Sequence, residues 1–198
     1  MDERTIASYE ANAGAIFRRH ISHGRSRMND RIVRHFHAGG QTADIGSGSG
    51  IMLDWLQTQG YPAIGYEPVA ALRNLSTTTF PAITVLNDAL PDLETIPNDT
   101  YANVLCSAVL MHLPIASVPA SIANLVRILA PGGRLLLTYR NGHGDVERET
   151  DDRLFTPLAI DVAAAMILKT GAQIQEQVVE ADPDRPDIHW TIFTVERS

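Results

Sequence analysis

The sequence is poor in cysteine, in positive charge and in long apolar runs. Cys106 is the one cysteine among 198 residues, so no internal disulfide can form, which favours a reducing, cytoplasmic setting. Lysine and arginine number 16 against 23 acidic residues, and the net charge of −7 disfavours a nucleic-acid binder. No apolar run approaches the roughly 18 residues that cross a bilayer, and no secretory signal is expected. A single soluble domain without membrane or nucleic-acid partners is therefore predicted.

One stretch departs from the acidic average. Residues 17–37, "FRRHISHGRSRMNDRIVRHFH", are rich in arginine and histidine. This pattern is typical of a solvated helix face. The alternative is a rim that attracts a carboxylate or a phosphate.

Strands alternate with helices along the remainder of the chain. After helices at 4–20 and 26–37, the pattern predicts strands at 41–46, 62–67, 82–87, 101–110 and 133–140, helices at 51–60, 68–79, 115–130 and 157–171, and final strands at 172–181 and 188–198. Such alternation indicates parallel strands joined by helical crossovers. The short "DPDRPD" link between the last two strands permits only antiparallel pairing there. An α/β fold with a mostly parallel sheet follows.

A glycine-rich turn, "ADIGSGSG", ends the first predicted strand and opens a helix. In open α/β sheets this is where nucleotides bind, because glycine allows close approach and the helix N-terminus attracts negative groups. The dinucleotide pattern G-x-G-x-x-G is absent, since Gly46 and Gly48 are followed by Gly50 and then Ile51. The turn alone does not choose between a phosphate and a carboxylate.

Two acids narrow the choice of ligand. Asp44 lies just before the turn, where a carboxylate would repel a pyrophosphate but hold an ammonium group. Glu67 ends the second predicted strand, roughly 20 residues on, where an acid accepts hydrogen bonds from ribose hydroxyls. S-adenosylmethionine carries both an amino-acid end and a ribose, and it fits this pair.

In order, the segments "ADIGSGSG", "GYEP", "NDAL", "VLCSAVLMHL" and "LAPGGRLLLTYR" resemble the class I (Rossmann-like) S-adenosylmethionine-dependent methyltransferases, and the last part of the chain resembles a small bacterial subgroup. The resemblance implies a three-layer sandwich with helices on both sheet faces. It implies a seven-stranded sheet of order 3-2-1-4-5-7-6 with strand 7 antiparallel. Residues 1–38 are expected to form a helical lid on a core of residues 39–198.

The resemblance also implies a set of cofactor contacts around the sheet's carboxyl edge. These residues are Tyr9, Arg27, Asp44, Gly46, Ser47, Gly48, Glu67, Pro68, Asp88, Ala89 and Ser107. Asp88 and the Ala89 amide are expected at the adenine, and Tyr9 and Arg27 over the amino-acid end. Tyr9 would also suit plain helix packing, and Asp88 would also suit a turn cap.

Two histidines and three arginines are expected at the acceptor end. His112, after strand 4, and His143, in the loop after strand 5, are candidate catalytic bases, because histidine titrates near neutral pH. A packing role over the cofactor is the alternative for His112. Substrate contacts are predicted for Arg140, Arg148 and Arg185, which would suit an anionic acceptor, with surface ion pairs as the alternative.

Several subclasses are disfavoured. The "CSAV" segment after strand 4 is not the Asn/Asp-Pro-Pro-Tyr of adenine or glutamine N-methylation, and no acidic cluster suggests a metal. Methyl transfer to oxygen or nitrogen of a small polar or anionic molecule is the favoured function. A cofactor-binding protein without turnover is the alternative, and a nicotinamide-dependent oxidoreductase is a third. The oligomeric state stays open between monomer and homodimer.

Overall fold

A computed structural model describes residues 1–22, 28–141, 147–183, 185 and 187–198. The helices are α1 (Glu3–Ser22), α2 (Met28–His35), α3 (Ile51–Thr58), α4 (Ala70–Thr79), α5 (Val118–Arg127) and α6 (Ile160–Lys169). The strands are β1 (Thr42–Ile45), β2 (Ala63–Tyr66), β3 (Thr84–Leu86), β4 (Tyr101–Ser107), β5 (Leu129–Asn141), β6 (Gln173–Ala181) and β7 (His189–Glu196).

The seven strands form one sheet in the order β3-β2-β1-β4-β5-β7-β6, which confirms the predicted topology. Strands β1 to β5 pair in parallel through the helical crossovers. Strand β7 is antiparallel to both β5 and β6, as the short link between β6 and β7 requires. The carboxyl ends of β1, β2, β4 and β5 therefore meet at one edge of the sheet.

Most element boundaries differ from the sequence prediction by a few residues, and the differences at β4 and β5 change the backbone near the site. Strand β4 is predicted to run to residue 110 but ends at Ser107. A short 3-10 helix over Leu110–His112 follows it. Strand β5 begins at Leu129, before the predicted "APGG" turn. That turn is a bulge inside the strand, because Gly132 donates to the carbonyl of Arg197 and Gly133 accepts from the Arg197 amide. The end of the chain thus keeps the bulged backbone paired.

Helices cover both faces of the sheet, as predicted. Val104 and Cys106 of β4 join the core beneath α5 and α6, whereas Leu105 between them joins the core beneath α2 and α3. Successive strand residues point to opposite faces, so a strand buried on both sides must be apolar at every position. This geometry explains the continuous apolar runs in the sequence.

Helix α1 lies over the carboxyl edge. Its Ala13 packs with Val69 and Leu72 at the start of α4, and Glu10 accepts hydrogen bonds from the first amides of α4. At its other end, Thr5 accepts from the Leu154 amide of the segment that follows β5. Helix α1 thereby bridges the two halves of the sheet edge. No helix in the described ranges has the length and apolar character needed to cross a bilayer.

Candidate functional site

A cavity of about 740 Å³ opens at the carboxyl edge beneath α1. Its lining joins the glycine-rich turn, the ends of β2, β4 and β5, and the β6–β7 connection. The lining includes Tyr9, Arg19, His20, Asp44, Gly46, Ser47, Gly48, Glu67, Ser107, His112, Arg140, Glu149, Arg153, Asp182, Arg185 and Trp190.

The glycine-rich turn is anchored on the end of β2. Gly46, Gly48 and Gly50 all have positive φ, at 74°, 54° and 74°, which only glycine adopts at little cost. The amides of Gly46 and Ser47 both donate to the Tyr66 carbonyl, at 2.7 and 3.2 Å. A Cβ on Gly46 would collide with Val109. Backbone geometry therefore requires all three glycines, and packing adds a second requirement at Gly46 and also at Gly50, where a Cβ would lie 2.6 Å from Ile83.

The acid end of the cavity, defined by Asp44, Ser47 and Glu67, is formed by the first two strands. Asp44 is 4% exposed, and neither its Oδ2 nor the Ser47 hydroxyl has a hydrogen-bond partner in the described part of the chain. Burial raises the pKa of the Asp44 carboxyl to about 7, and the nearby Glu67 charge acts in the same direction. An unpartnered buried carboxylate is costly unless a donor or a cation reaches it.

Glu67 is held in place by the backbone. Its two carboxylate oxygens accept from the amides of Gly48 and Val69, both at 2.9 Å. Burial raises the pKa of the Glu67 carboxyl despite these bonds. Each oxygen retains acceptor capacity on the cavity side. Two adjacent buried carboxylates, one of them unpartnered, fit a ligand that brings an ammonium group and hydroxyl donors.

The residues predicted to contact the adenine are Pro68, Asp88 and Ala89, and this role stays a prediction. Pro68, Asp88 and Ala89 are not part of the described cavity lining. Asp88 Oδ1 accepts from the Ala89 amide, and Oδ2 accepts from the Thr95 amide at 2.8 Å. Asp88 therefore caps its own turn, and the two residues predicted at the adenine are bonded to each other.

His112 has a defined tautomer. Its Nδ1 lies 2.8 Å from the Leu154 carbonyl, which can only accept, so Nδ1 carries the proton. Nε2 then accepts from the Tyr9 hydroxyl at 3.2 Å, and that hydroxyl accepts from Arg153 at 3.1 Å. Burial lowers the pKa of His112 to about 4, and the positive charges of Arg153 and Arg140 lower it further. The hydrogen bond to the Leu154 carbonyl raises it in part. The imidazole is therefore neutral near pH 7 and linked to α1 through Tyr9.

The basic end of the cavity, defined by Arg140, Arg153 and Arg185, lies at β5 and the β6–β7 connection. Arg140 ends β5 in a buried position with its guanidinium over the Phe155 ring, 5.1 Å from the centroid. Burial lowers the pKa of Arg140 to about 10, and the Arg185 and Arg153 charges add to the effect. Arg140 is still protonated at neutral pH.

Arg185 lies at the rim of this end. It pairs with Asp182 at 2.6 Å, and Asp182 also accepts from the Trp190 indole at 2.9 Å. The Arg185 side chain is 50% exposed whereas that of Asp182 is buried. Asp182 thus links the Arg185 guanidinium to the Trp190 indole.

The remaining predicted residues are separated from this group. Arg148 forms two hydrogen bonds of 3.0 Å with Asp2 of the N-terminal segment and is outside the described lining. The Arg148 charge holds the pKa of Asp2 well below its usual range, through those hydrogen bonds. Arg148 therefore forms an ion pair with Asp2, which is the role that the sequence offered as the alternative to substrate contact. Arg27 and His143 lie outside the described residues.

Sequence reasoning missed several lining residues. Arg153 and Glu149 follow β5 in a polar segment, and Arg19 and His20 end α1. The basic stretch at 17–37 was a signal for the last two. The segment after β5 gave no signal to choose Arg153 over Arg148, since both stand among acids in "DVERETDDR". Only the backbone path decides which of them enters the cavity.

Together the fold and the site define a class I methyltransferase architecture, with a glycine turn and an acid at the end of each of the first two strands. A family model described as a methyltransferase domain matches residues 17–187, and the chain belongs to that family. In the described ranges, no group of three or more His, Cys, Asp or Glu side chains is arranged to hold a metal ion.

Solved structures share the fold at low identity. Burkholderia thailandensis 1,6-didemethyltoxoflavin-N1-methyltransferase, solved with 1,6-didemethyltoxoflavin and S-adenosylhomocysteine, matches with a TM-score of 0.73 and 13% identity over 97% of this chain and 88% of its own. A TehB-like S-adenosylmethionine-dependent methyltransferase from Corynebacterium glutamicum matches with 0.69 and 16% over 94% and 98%. The cyclase SpnF matches with 0.66 and 15% over 86% and 80%. No curated protein sequence matches the chain.

Proposed function

We propose that the protein transfers a methyl group from S-adenosylmethionine to an oxygen or nitrogen of a small polar or anionic molecule. The observation that carries this proposal is the unpartnered Asp44 carboxylate, buried beside the glycine turn and one residue from β1's end. It fits the cofactor's ammonium group, and Glu67 fits the ribose hydroxyls. When bound, the cofactor supplies a methyl group already activated by a positive sulfur.

The chain's own contribution is binding, alignment and exclusion of water. Gly46, Ser47, Gly48 and Ser107 bring backbone and small side chains to the cofactor end, where a larger residue would block approach. The basic end holds the acceptor's negative or polar group, with Arg140 and Arg185 as its contacts. Proximity and orientation of this kind can supply roughly 7–11 kcal/mol in good cases.

His112 and Tyr9 are suited to take the acceptor's proton. The Tyr9 hydroxyl lines the cavity and donates to Nε2 of a neutral His112, so a proton taken up at Tyr9 can be passed to that nitrogen. A His112 pKa near 4 makes this a weak base. The pair therefore suits a carboxylic acid, whose pKa of about 4 lies near that of His112, and not a phenol, whose pKa is about 10.

Residues 1–38 are proposed to act as a lid. Helix α1 contributes Tyr9, Arg19 and His20 to the cavity, so its position limits access to both ends. Arg27 and His143 stay candidate contacts predicted from the sequence alone. Binding of cofactor would then require α1 to move away from the sheet edge and return.

The test is calorimetry with S-adenosylhomocysteine, followed by incubation of S-adenosylmethionine with a panel of small phenols, amines and carboxylic acids. Binding together with acceptor-dependent release of S-adenosylhomocysteine supports a methyltransferase. Binding with no turnover across the panel would favour a second candidate, a cofactor-binding protein without methyl transfer. The fold shared with a cyclase and the weak basicity of His112 support this candidate. Absence of binding would reject both candidates.

A further inference from the structure

A carboxylate of the protein already occupies the basic end of the cavity. Glu149 pairs through Oε1 with Arg140 and through Oε2 with Arg153, the second contact at 2.6 Å. All three side chains line the cavity and are largely buried. One planar, two-oxygen anion thus bridges two guanidinium groups beside the proposed acceptor position.

The two guanidinium groups do not depend on Glu149 for their positions. Arg140 stacks on Phe155, and Arg153 stacks on the Tyr9 ring, 5.3 Å from its centroid, while donating to the Tyr9 hydroxyl. Stacking on aromatic faces orients the flat guanidinium and leaves its N–H edge directed at an anion. The two positive groups would therefore stay in place if Glu149 withdrew.

Glu149, in contrast, comes from a surface turn. Its amide donates to the Arg153 carbonyl, and its carbonyl accepts from the Asp152 amide, which closes a tight turn over 149–153. A side chain on such a turn can leave by rotation or local opening without disturbing the sheet. Arg140, at the end of β5 opposite Trp190 of β7, has no comparable freedom.

The charge balance favours an incoming anion. Among the described lining residues at this end, Arg19, Arg140, Arg153 and Arg185 stand against Glu149 and Asp182 alone. If Glu149 leaves without replacement, the buried Arg140 loses this counter-ion, which is costly, whereas Arg153 keeps the Asp151 carboxylate at 2.8 Å. Another carboxylate reproduces both contacts in the same planar geometry.

We propose that Arg140 and Arg153 form a binding site for the carboxylate of a carboxylic-acid methyl acceptor, and that Glu149 fills this site until the acceptor displaces it. The inference rests on the proposed function and narrows it to one substrate class. It also adds Arg153, which the proposed function left out, as a residue that contacts the acceptor.

The test uses the full chain saturated with S-adenosylhomocysteine and titrated with benzoate, with neutral benzamide as the size-matched probe. In Glu149→Gln the internal competitor loses its charge, so benzoate affinity should rise at least tenfold while benzamide affinity stays as in the wild type. Glu147→Gln, on an exposed residue of the same segment, is the matched control and should change neither. Equal benzoate affinity in wild type and Glu149→Gln would overturn the site.

The cofactor has a carboxylate of its own, and a second arm separates the two sources. S-adenosylhomocysteine is compared with 5′-methylthioadenosine, which lacks the amino-acid end. If Glu149→Gln strengthens only S-adenosylhomocysteine binding and leaves benzoate unchanged, the pair holds the cofactor and the acceptor proposal is wrong. If wild type binds no S-adenosylhomocysteine, the proposed function itself fails, whatever benzoate does.

The melting temperature gives an independent measurement if Glu149→Gln binds benzoate too weakly for titration or folds poorly. Benzoate should raise the melting temperature of Glu149→Gln more than that of wild type, because it restores the missing counter-ion. Glu149→Asp, whose carboxylate is one methylene shorter, should show a smaller gain in benzoate affinity in the same direction. Identical benzoate responses in all three proteins would reject the proposal.

Discussion

The two ends of the cavity are built in opposite ways. At the acid end, Asp44 and Ser47 each present a buried oxygen without a partner among the described residues. At the basic end, Arg140, Arg153 and Arg185 each pair with a carboxylate of the protein. The acid end is thus prepared for a ligand at a cost in stability, whereas the basic end must first give up internal contacts. We expect the cofactor to bind without displacing a carboxylate of the protein, and the acceptor to compete with Glu149 for the arginines.

The largest effect should come from Glu67→Ala. The change removes the proposed ribose acceptor and leaves the Gly48 and Val69 amides without their partners. Unfolding free energy should fall by roughly 2–4 kcal/mol, and S-adenosylhomocysteine should bind at least a hundredfold more weakly. Glu67→Gln is the matched control, because its amide oxygen still accepts one of the two bonds. Calorimetry and denaturant unfolding measure both, and an unchanged affinity in Glu67→Ala would mean that the ribose binds elsewhere.

Asp44→Asn should separate binding from stability. The folded pKa of Asp44 is raised to about 7, so the cost of its ionisation is absent below about pH 4 and complete above about pH 7. At pH 8 the variant without cofactor should therefore be at least as stable as wild type, while cofactor affinity falls at least tenfold.

The same pKa predicts how binding depends on pH. An ammonium group needs ionised Asp44, so wild-type affinity for S-adenosylhomocysteine should drop up to about tenfold per unit as pH falls below 7. In Asp44→Asn this dependence should disappear between pH 6 and 8. Calorimetry at three pH values tests this prediction. If the affinity changes with pH to the same extent in both proteins, Asp44 does not contact the cofactor's ammonium group.

Arg185→Ala and Arg148→Ala should behave differently although sequence reasoning grouped them. Arg185 lines the cavity, so its loss should raise the acceptor KM about three- to tenfold and leave cofactor affinity unchanged. Arg148 pairs with Asp2, so its loss should leave the acceptor KM unchanged. Steady-state kinetics of the two variants tests this, and a raised KM in both would contradict the assigned position of Arg148.

His112→Gln should change the pH dependence of stability rather than ligand binding. The folded pKa of His112 is about 4, below its ordinary value near 6.5, so the unfolded chain takes up this proton first as pH falls. Wild type should lose stability between pH 6.5 and 4, on the order of 2 kcal/mol more than His112→Gln over that range. Urea unfolding at pH 4.5 and 7 gives the free energy of unfolding of wild type and His112→Gln. The contribution of Asp44 cancels in this comparison because both proteins contain it. Equal losses would mean that His112 is not protected from protonation.

The acid end could be predicted from the sequence to a large extent. Asp44, the glycines and Glu67 lie next to strand ends, and strand ends are visible as the limits of apolar runs. Whether Asp88 contacts the adenine could not be decided from the sequence, because an acid after a short strand can also cap its own turn, and Asp88 makes such a cap. The tautomer of His112 depends on Leu154, which is 42 positions away.

The sequence by itself determined the strands, the antiparallel pairing of the last two and the glycine-rich turn, whereas the strand order was implied by the family resemblance. These follow from local rules, since apolar alternation, glycine conformation and link length act within a few residues. Only the tertiary structure decided which arginines face the cavity. Helix α1, strand β5, the turn at 149–153 and the β6–β7 connection bring their charges together over long sequence separations. Which guanidinium is buried and which carboxylate it meets depends on how those elements pack, because buried charges are tolerated only where the fold supplies a partner.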